Sequence, residues 1–184
     1  MKTLILNGSP RKGGDTAALV KAVKAHLEGE VEEIFATESN VRPCTDCRYC
    51  RTHQGCAIQD GGAALLEKIA KSDRILIAAP VWFGTLPGEL LSMLSRLQSQ
   101  FSAEFFRHEG KLGAPKKGAI LLAAGGAGSA EGAIQTATIL LKQMNAAEIF
   151  PPVCSLKTDR LPASEDKAAL AGANTIAEYF NSED

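Results

Sequence analysis

The chain has 184 residues, enough for one domain with a full hydrophobic core. Its apolar content of 45% is that of ordinary globular proteins, and a formal net charge of -1 gives no electrostatic reason to expect nucleic acid or an anionic membrane as partner. No apolar run approaches the ~18–20 residues of a membrane span, so a cytoplasmic protein is expected, in which five cysteines are poor candidates for structural disulfides.

Leu4-Ile5-Leu6 opens as a strand rather than a signal segment, because a Gly-Ser-Pro turn leaves no room for an apolar h-region. A helix is expected from about Thr16 to Leu27, striped by Leu19, Val23 and Leu27. Val31 to Phe35 reads as a second strand, carrying Glu32 and Glu33. Residues 75–79 form a continuous apolar strand, and Leu90, Leu94, Leu97 and Phe101 mark one long helix after it. Ala119 to Ala123 is the fourth strand. Ser129 can cap the next helix, striped by Ile134, Ala137, Leu141 and Met144. Ile149 to Cys154 is the last strand, and Leu170, Ala173, Ala177 and Phe180 stripe the final helix.

Strands alternating with helices imply a parallel sheet covered on both faces. The strands at 75–79 and 119–123 are apolar throughout and belong at its centre. Glu32 and Glu33 in the second strand, and Pro151 and Pro152 in the fifth, belong at edges. That gives a doubly wound α/β sheet of five parallel strands in the order 2-1-3-4-5, within one domain spanning 1–184. Ligands of such sheets lie beyond the carboxyl ends of the first and third strands, so the loops after strands one, three and four should carry the chemistry.

The first of these loops is Gly8-Ser9-Pro10-Arg11-Lys12-Gly13-Gly14-Asp15-Thr16. Its glycines allow a tight turn with inward N–H groups. Ser9 and Thr16 offer hydroxyls, Arg11 a fork for phosphate oxygens, and the following helix its positive end. Neither the P-loop spacing nor a G-x-G-x-x-G is present, and an ordinary glycine-rich turn is the competing reading. The loop after strand three, Pro80-Val81-Trp82-Phe83-Gly84, places two aromatic side chains outside the core pattern. They could wall a flat ring, or pack on the next helix. Gly125-Gly126 after strand four lets backbone approach a ligand closely, or is a plain turn.

Together these segments resemble the NADPH-dependent FMN reductase and multimeric-flavodoxin group, over most of the chain. The resemblance implies a flavodoxin-like fold holding FMN, with NAD(P)H or an electron carrier as the source of electrons. It implies that Ser9, Arg11, Asp15 and Thr16, with Gly14 in the same turn, hold the phosphate. It places Pro80, Val81, Trp82, Phe83 and Gly84 beside the flavin and Gly125 and Gly126 against the ring or ribityl. Asp15 departs from the group, where this position is commonly Asn. A carboxylate would repel a phosphate unless it caps the helix instead. A homodimer or homotetramer is implied, with the segment 101–117, including Phe105 and Phe106, as a candidate contact.

A cysteine-rich loop at 37–60 holds Cys44, Cys47, Cys50 and Cys56, spaced C-x2-C-x2-C-x5-C. Two-residue spacers let thiolates converge on one centre, and Arg42, Arg48 and Arg51 would offset its negative charge. The pattern resembles the iron–sulfur flavoprotein branch of the same group, which implies a [4Fe–4S] cluster. Zinc, or a thiol set that binds nothing, are the alternatives. Cys154 reads as a small buried hydrophobe and His53 as a solvated loop residue. No general acid or hydrolytic constellation is discernible, so no catalytic side chain is assigned. Three functions follow: an electron-transfer flavoprotein with a cluster and a ferredoxin-type or nicotinamide partner, an NAD(P)H-dependent FMN or quinone reductase without one, and a zinc-bound α/β binding module.

Overall fold

The computed structural model describes residues 1–126 and 128–182. Its elements run β1 (Lys2–Asn7), α1 (Asp15–Lys24), β2 (Glu30–Phe35), α2 (Gly62–Lys71), β3 (Arg74–Pro80), α3 (Gly88–Leu94), α4 (Gln98–Phe106), β4 (Lys116–Ala124), α5 (Glu131–Gln143), β5 (Ala146–Ile149), β6 (Val153–Leu156) and α6 (Lys167–Asn181). All strand pairs are parallel, and the order is β2-β1-β3-β4-β5. The expected doubly wound flavodoxin-like sheet is therefore observed.

Alternation along the central strands explains the two faces. Leu4, Leu6, Ile75, Ile77, Ile120 and Leu122 point to a core shared with α2, α3 and α5. Ile5, Leu76, Ala78, Ala119 and Leu121 point the other way, against α1 and α6. Residues 75–79 and 119–122 are wholly buried, as their unbroken apolar runs require. Phe180 closes the α6 side without exposure, a side chain whose removal costs about 3–5 kcal/mol.

Three elements differ from the sequence reading. The fifth strand is two segments along the outer edge of β4: β5 pairs with Lys116–Gly118 and β6 with Leu121–Ala124. Phe150-Pro151-Pro152 lies between them, since proline cannot donate to the ladder. The long helix after β3 is α3 and α4 joined by a 3₁₀ turn at Ser95–Leu97. The helix α2 was not anticipated. Ser129 meets its expected role in part, accepting the Glu131 N–H at 3.1 Å one residue ahead of the N-cap Ala130.

Candidate functional site

The carboxyl ends of β1, β3 and β4 open into a cleft of about 260 Å³, lined by Ser9, Pro10, Arg11, Asp15, Thr16, Pro80, Val81, Trp82, Ala123, Gly125 and Thr158. Eight of the residues proposed from sequence thus share one cavity. Gly14, Phe83, Gly84 and Gly126 are not among its lining residues.

The first loop is held from below by Asn7, which is buried at the end of β1. Its Nδ2 donates to Glu33 Oε1 at 2.8 Å, and its Oδ1 accepts the Ser9 N–H at 2.8 Å. Ser9 Oγ in turn accepts the Arg11 N–H at 3.2 Å and donates to the Arg11 carbonyl at 3.1 Å. The Ser9 hydroxyl, expected to face a ligand, is engaged within its own turn. Thr16 is buried in the first turn of α1, where backbone N–H groups lack helical acceptors and the helix dipole favours an anion.

Asp15 is not a cap. The N-cap is Gly14, and no side chain caps it. Asp15 Oδ1 accepts the Ala163 N–H at 3.0 Å, and Oδ2 lies 3.5 Å from Arg11 Nη2. The carboxylate therefore joins the loop to the segment after β6 and steadies the exposed Arg11. The same segment brings Thr158 to the cleft, its N–H donating to the Ala124 carbonyl at 2.9 Å. Sequence reasoning missed Asn7 and Thr158. The first could have been suspected as a buried amide ending an apolar strand; the second follows only from where β6 stops.

In the loop after β3, Trp82 and Thr85 exchange two backbone hydrogen bonds of 3.0 Å. The turn between them has φ of 51° at Phe83 and 76° at Gly84, the left-handed pair of a type I′ hairpin. Glycine accepts this at no cost, whereas phenylalanine is strained there by about 1–2 kcal/mol. Phe83 is fully exposed at the tip, and Trp82, partly exposed, faces the cleft.

A second cavity, of about 80 Å³, is lined by Cys44, Cys47, Cys50 and Cys56 together with Gln98, Phe101, Ser102 and Phe106. The four loop cysteines thus all border one cavity beside α4. Cys50 Sγ lies 3.3 Å from Ser102 Oγ, and the Cys44 N–H donates to Ser95 Oγ at 2.8 Å. Arg107 Nη1 donates to the Cys50 carbonyl, and Arg51 lies over the Phe106 ring at 4.6 Å. Four thiols with nearby guanidinium groups suit a thiolate-bound centre chemically. Among the described residues, however, no three His, Cys, Asp or Glu side chains converge closely enough to hold a metal ion. His53 is exposed and stacked on Tyr49, with ring centroids 4.2 Å apart. Cys154 is half-buried on β6, and that burial pushes its thiol pKa up.

Fold and cleft together define a flavodoxin-like protein whose open site lies at the switch point of its sheet. The chain matches the NADPH-dependent FMN reductase family over residues 1–159, and it belongs to that family. An iron–sulfur flavoprotein of Methanosarcina thermophila is 33% identical over 99 residues, covering 52% of this chain and 52% of that protein. The chain thus spans about half the length of the curated relatives it matches. In fold it is similar to an azoreductase from Bacillus anthracis (TM-score 0.75, 18% identity, 98% of this chain and 100% of that one). It is similar also to an NAD(P)H:quinone oxidoreductase from Methanothermobacter marburgensis (TM-score 0.75, 14% identity, 100% and 98%). No helix among the described residues is long and apolar enough to cross a membrane.

Proposed function

We propose that the chain is a cytoplasmic FMN-binding oxidoreductase that takes electrons from NAD(P)H, one domain with a cysteine-rich loop whose four thiols would hold a [4Fe–4S] centre, with a ferredoxin-type carrier as its partner. The observation that carries the flavin half is the cleft itself. A helix N-terminus, Thr16 and Arg11 stand at one end, and Trp82 forms an aromatic wall, a set suited to a phosphate-bearing aromatic ligand. The cluster half rests on four thiols lining one cavity and on the name of the Methanosarcina relative. Bound there, FMN supplies hydride acceptance and the cluster one-electron transfer.

The protein's own residues would orient and shield. Arg11 and the first-turn N–H groups of α1 fix the phosphate. Trp82 and the backbone of Val81 and Gly125 position the ring and exclude water from one side. Cys44, Cys47, Cys50 and Cys56 would be the cluster ligands. The exposed Phe101, Phe105 and Phe106, packed on one another with centroids 5.1–6.4 Å apart, are the surface for a second subunit in a homodimer or homotetramer.

A second reading, an FMN or quinone reductase with no cluster, is favoured by the absence of converged metal ligands among the described residues. The zinc-bound module has nothing in its favour beyond the thiols. An anaerobic absorption spectrum with iron and acid-labile sulfide assays separates the readings. Flavin absorption with stoichiometric iron and sulfide supports the first, flavin without iron the second, and a colourless protein that takes up no FMN refutes both.

A further inference from the structure

The ends of the cysteine loop are clasped by a single guanidinium. Arg96 Nη1 donates to the Arg42 carbonyl at 3.2 Å, just ahead of Cys44. Its Nη2 donates to the Ile58 carbonyl at 3.1 Å, just after Cys56. Nη1 also reaches both oxygens of Asp60, at 2.8 and 2.9 Å. Asp60 accepts the N–H groups of Arg42 at 2.9 Å and Gly62 at 2.8 Å, completing the ring of contacts. The Arg96 and Asp60 side chains are 2% and 4% exposed, so water does not compete for these bonds. At position 62 a Cβ would stand 2.7 Å from Arg96 Cζ, so a larger residue there must displace the guanidinium.

The helix break at Ser95–Leu97 gives this arrangement its second half. It aims Arg96 beneath the loop ends while presenting Ser95 to the Cys44 N–H, and α4 beyond it carries Ser102 to Cys50. A buried ion pair is a poor source of net stability, since apolar residues of similar volume often do as well or better. What it supplies here is a fixed separation between two carbonyls that bracket four thiols.

We infer that Arg96 is the positioning residue of the thiol cavity: with Asp60 it locks both ends of the cysteine loop and thereby sets the spacing of Cys44, Cys47, Cys50 and Cys56. The inference rests on the reading of those thiols as ligands of a redox centre. The test is Arg96→Lys, which keeps the charge and loses the fork. The whole chain, reduced and without metal, is labelled with a thiol reagent and each cysteine is followed by mass spectrometry. Iron uptake after anaerobic reconstitution and FMN affinity are measured on the same preparations.

In the variant, the four loop thiols are expected to react several-fold faster and iron content to fall several-fold. Cys154 labelling and FMN affinity should stay within twofold, which a general loosening of the fold would not allow. Loop-thiol rates and iron uptake equal to wild type, in a chain that still binds FMN, would overturn the inference. Should Arg96→Lys not fold, Gly62→Ala keeps both charges, displaces the guanidinium from the other side and is read by the same criteria. Wild-type protein that takes up no iron refutes the cluster reading, while the labelling rates still decide the role of Arg96.

Discussion

Replacing Asp60 by Asn removes the negative half of the pair beneath the cysteine loop. Burial alone would raise the Asp60 pKa, but the N–H groups of Arg42 and Gly62 and the Arg96 guanidinium outweigh it and bring the carboxyl down to about 2 from 3.8. That depression corresponds to about 2.5 kcal/mol of folding stability. Asn also leaves Arg96 buried without its counter-charge, so a total of about 3 kcal/mol is expected at pH 7. For a chain of this size that lowers the melting temperature by about 6–12 °C. Because the folded-state pKa is depressed, the contribution is complete above about pH 4 and is lost as the pH falls through about 2. The gap between wild type and Asp60→Asn should therefore be constant from pH 5 to 7 and close on acidification. Calorimetric melts across that range measure the gap, and amide exchange at Arg42 and Gly62 detects a loss confined to the loop. A melting temperature within about 2 °C of wild type, with unchanged exchange at both amides, would refute the reasoning.

Arg11→Ala should weaken FMN binding about 10–100-fold, the range of a charge-assisted bond to phosphate; an equilibrium titration giving a loss under threefold would remove Arg11 from the phosphate site. Trp82 is the single tryptophan and faces the cleft, so FMN addition should quench the intrinsic tryptophan emission, and an unquenched titration at saturating FMN would place the flavin elsewhere. Burial raises the Cys154 pKa, so at pH 8 this thiol should alkylate more slowly than the four loop thiols, a ranking that peptide-resolved mass spectrometry checks directly.

The sheet was legible because its signals are local. Unbroken apolar runs mark β3 and β4, and Glu32, Glu33, Pro151 and Pro152 mark edges. The position of the cleft was legible for the same reason, since loops after parallel strands can be read from where strands stop. The helix α2 was hidden by Gly61-Gly62, which reads as a turn, although Leu65 and Ile69 lie one helical turn apart on its buried stripe. The break at Ser95–Leu97 leaves the apolar stripe intact, so periodicity alone passes over it. Thr158 and the Asp60–Arg96 pair rest on contacts between residues far apart in the chain, which no spacing rule encodes. The partnership of Asp15 with Ala163, 148 residues away, is of the same kind.

The interrupted fifth strand has a consequence for how copies of this protein can meet. A long, flat outer strand is a template on which another chain can add, the route to edge-to-edge aggregation. Here Pro151 and Pro152 divide that rim into two four-residue pieces, too short and too discontinuous to seed such growth. The opposite rim, β2, is guarded by charge instead: Lys2 sits 3.1 and 2.9 Å from Glu30 and Glu32, and Lys68 reaches Glu32 at 2.6 Å. With both rims blunted, extension of the sheet from one copy to the next is disfavoured, and any contact between copies is left to side-chain surfaces, which do not propagate as a growing sheet does.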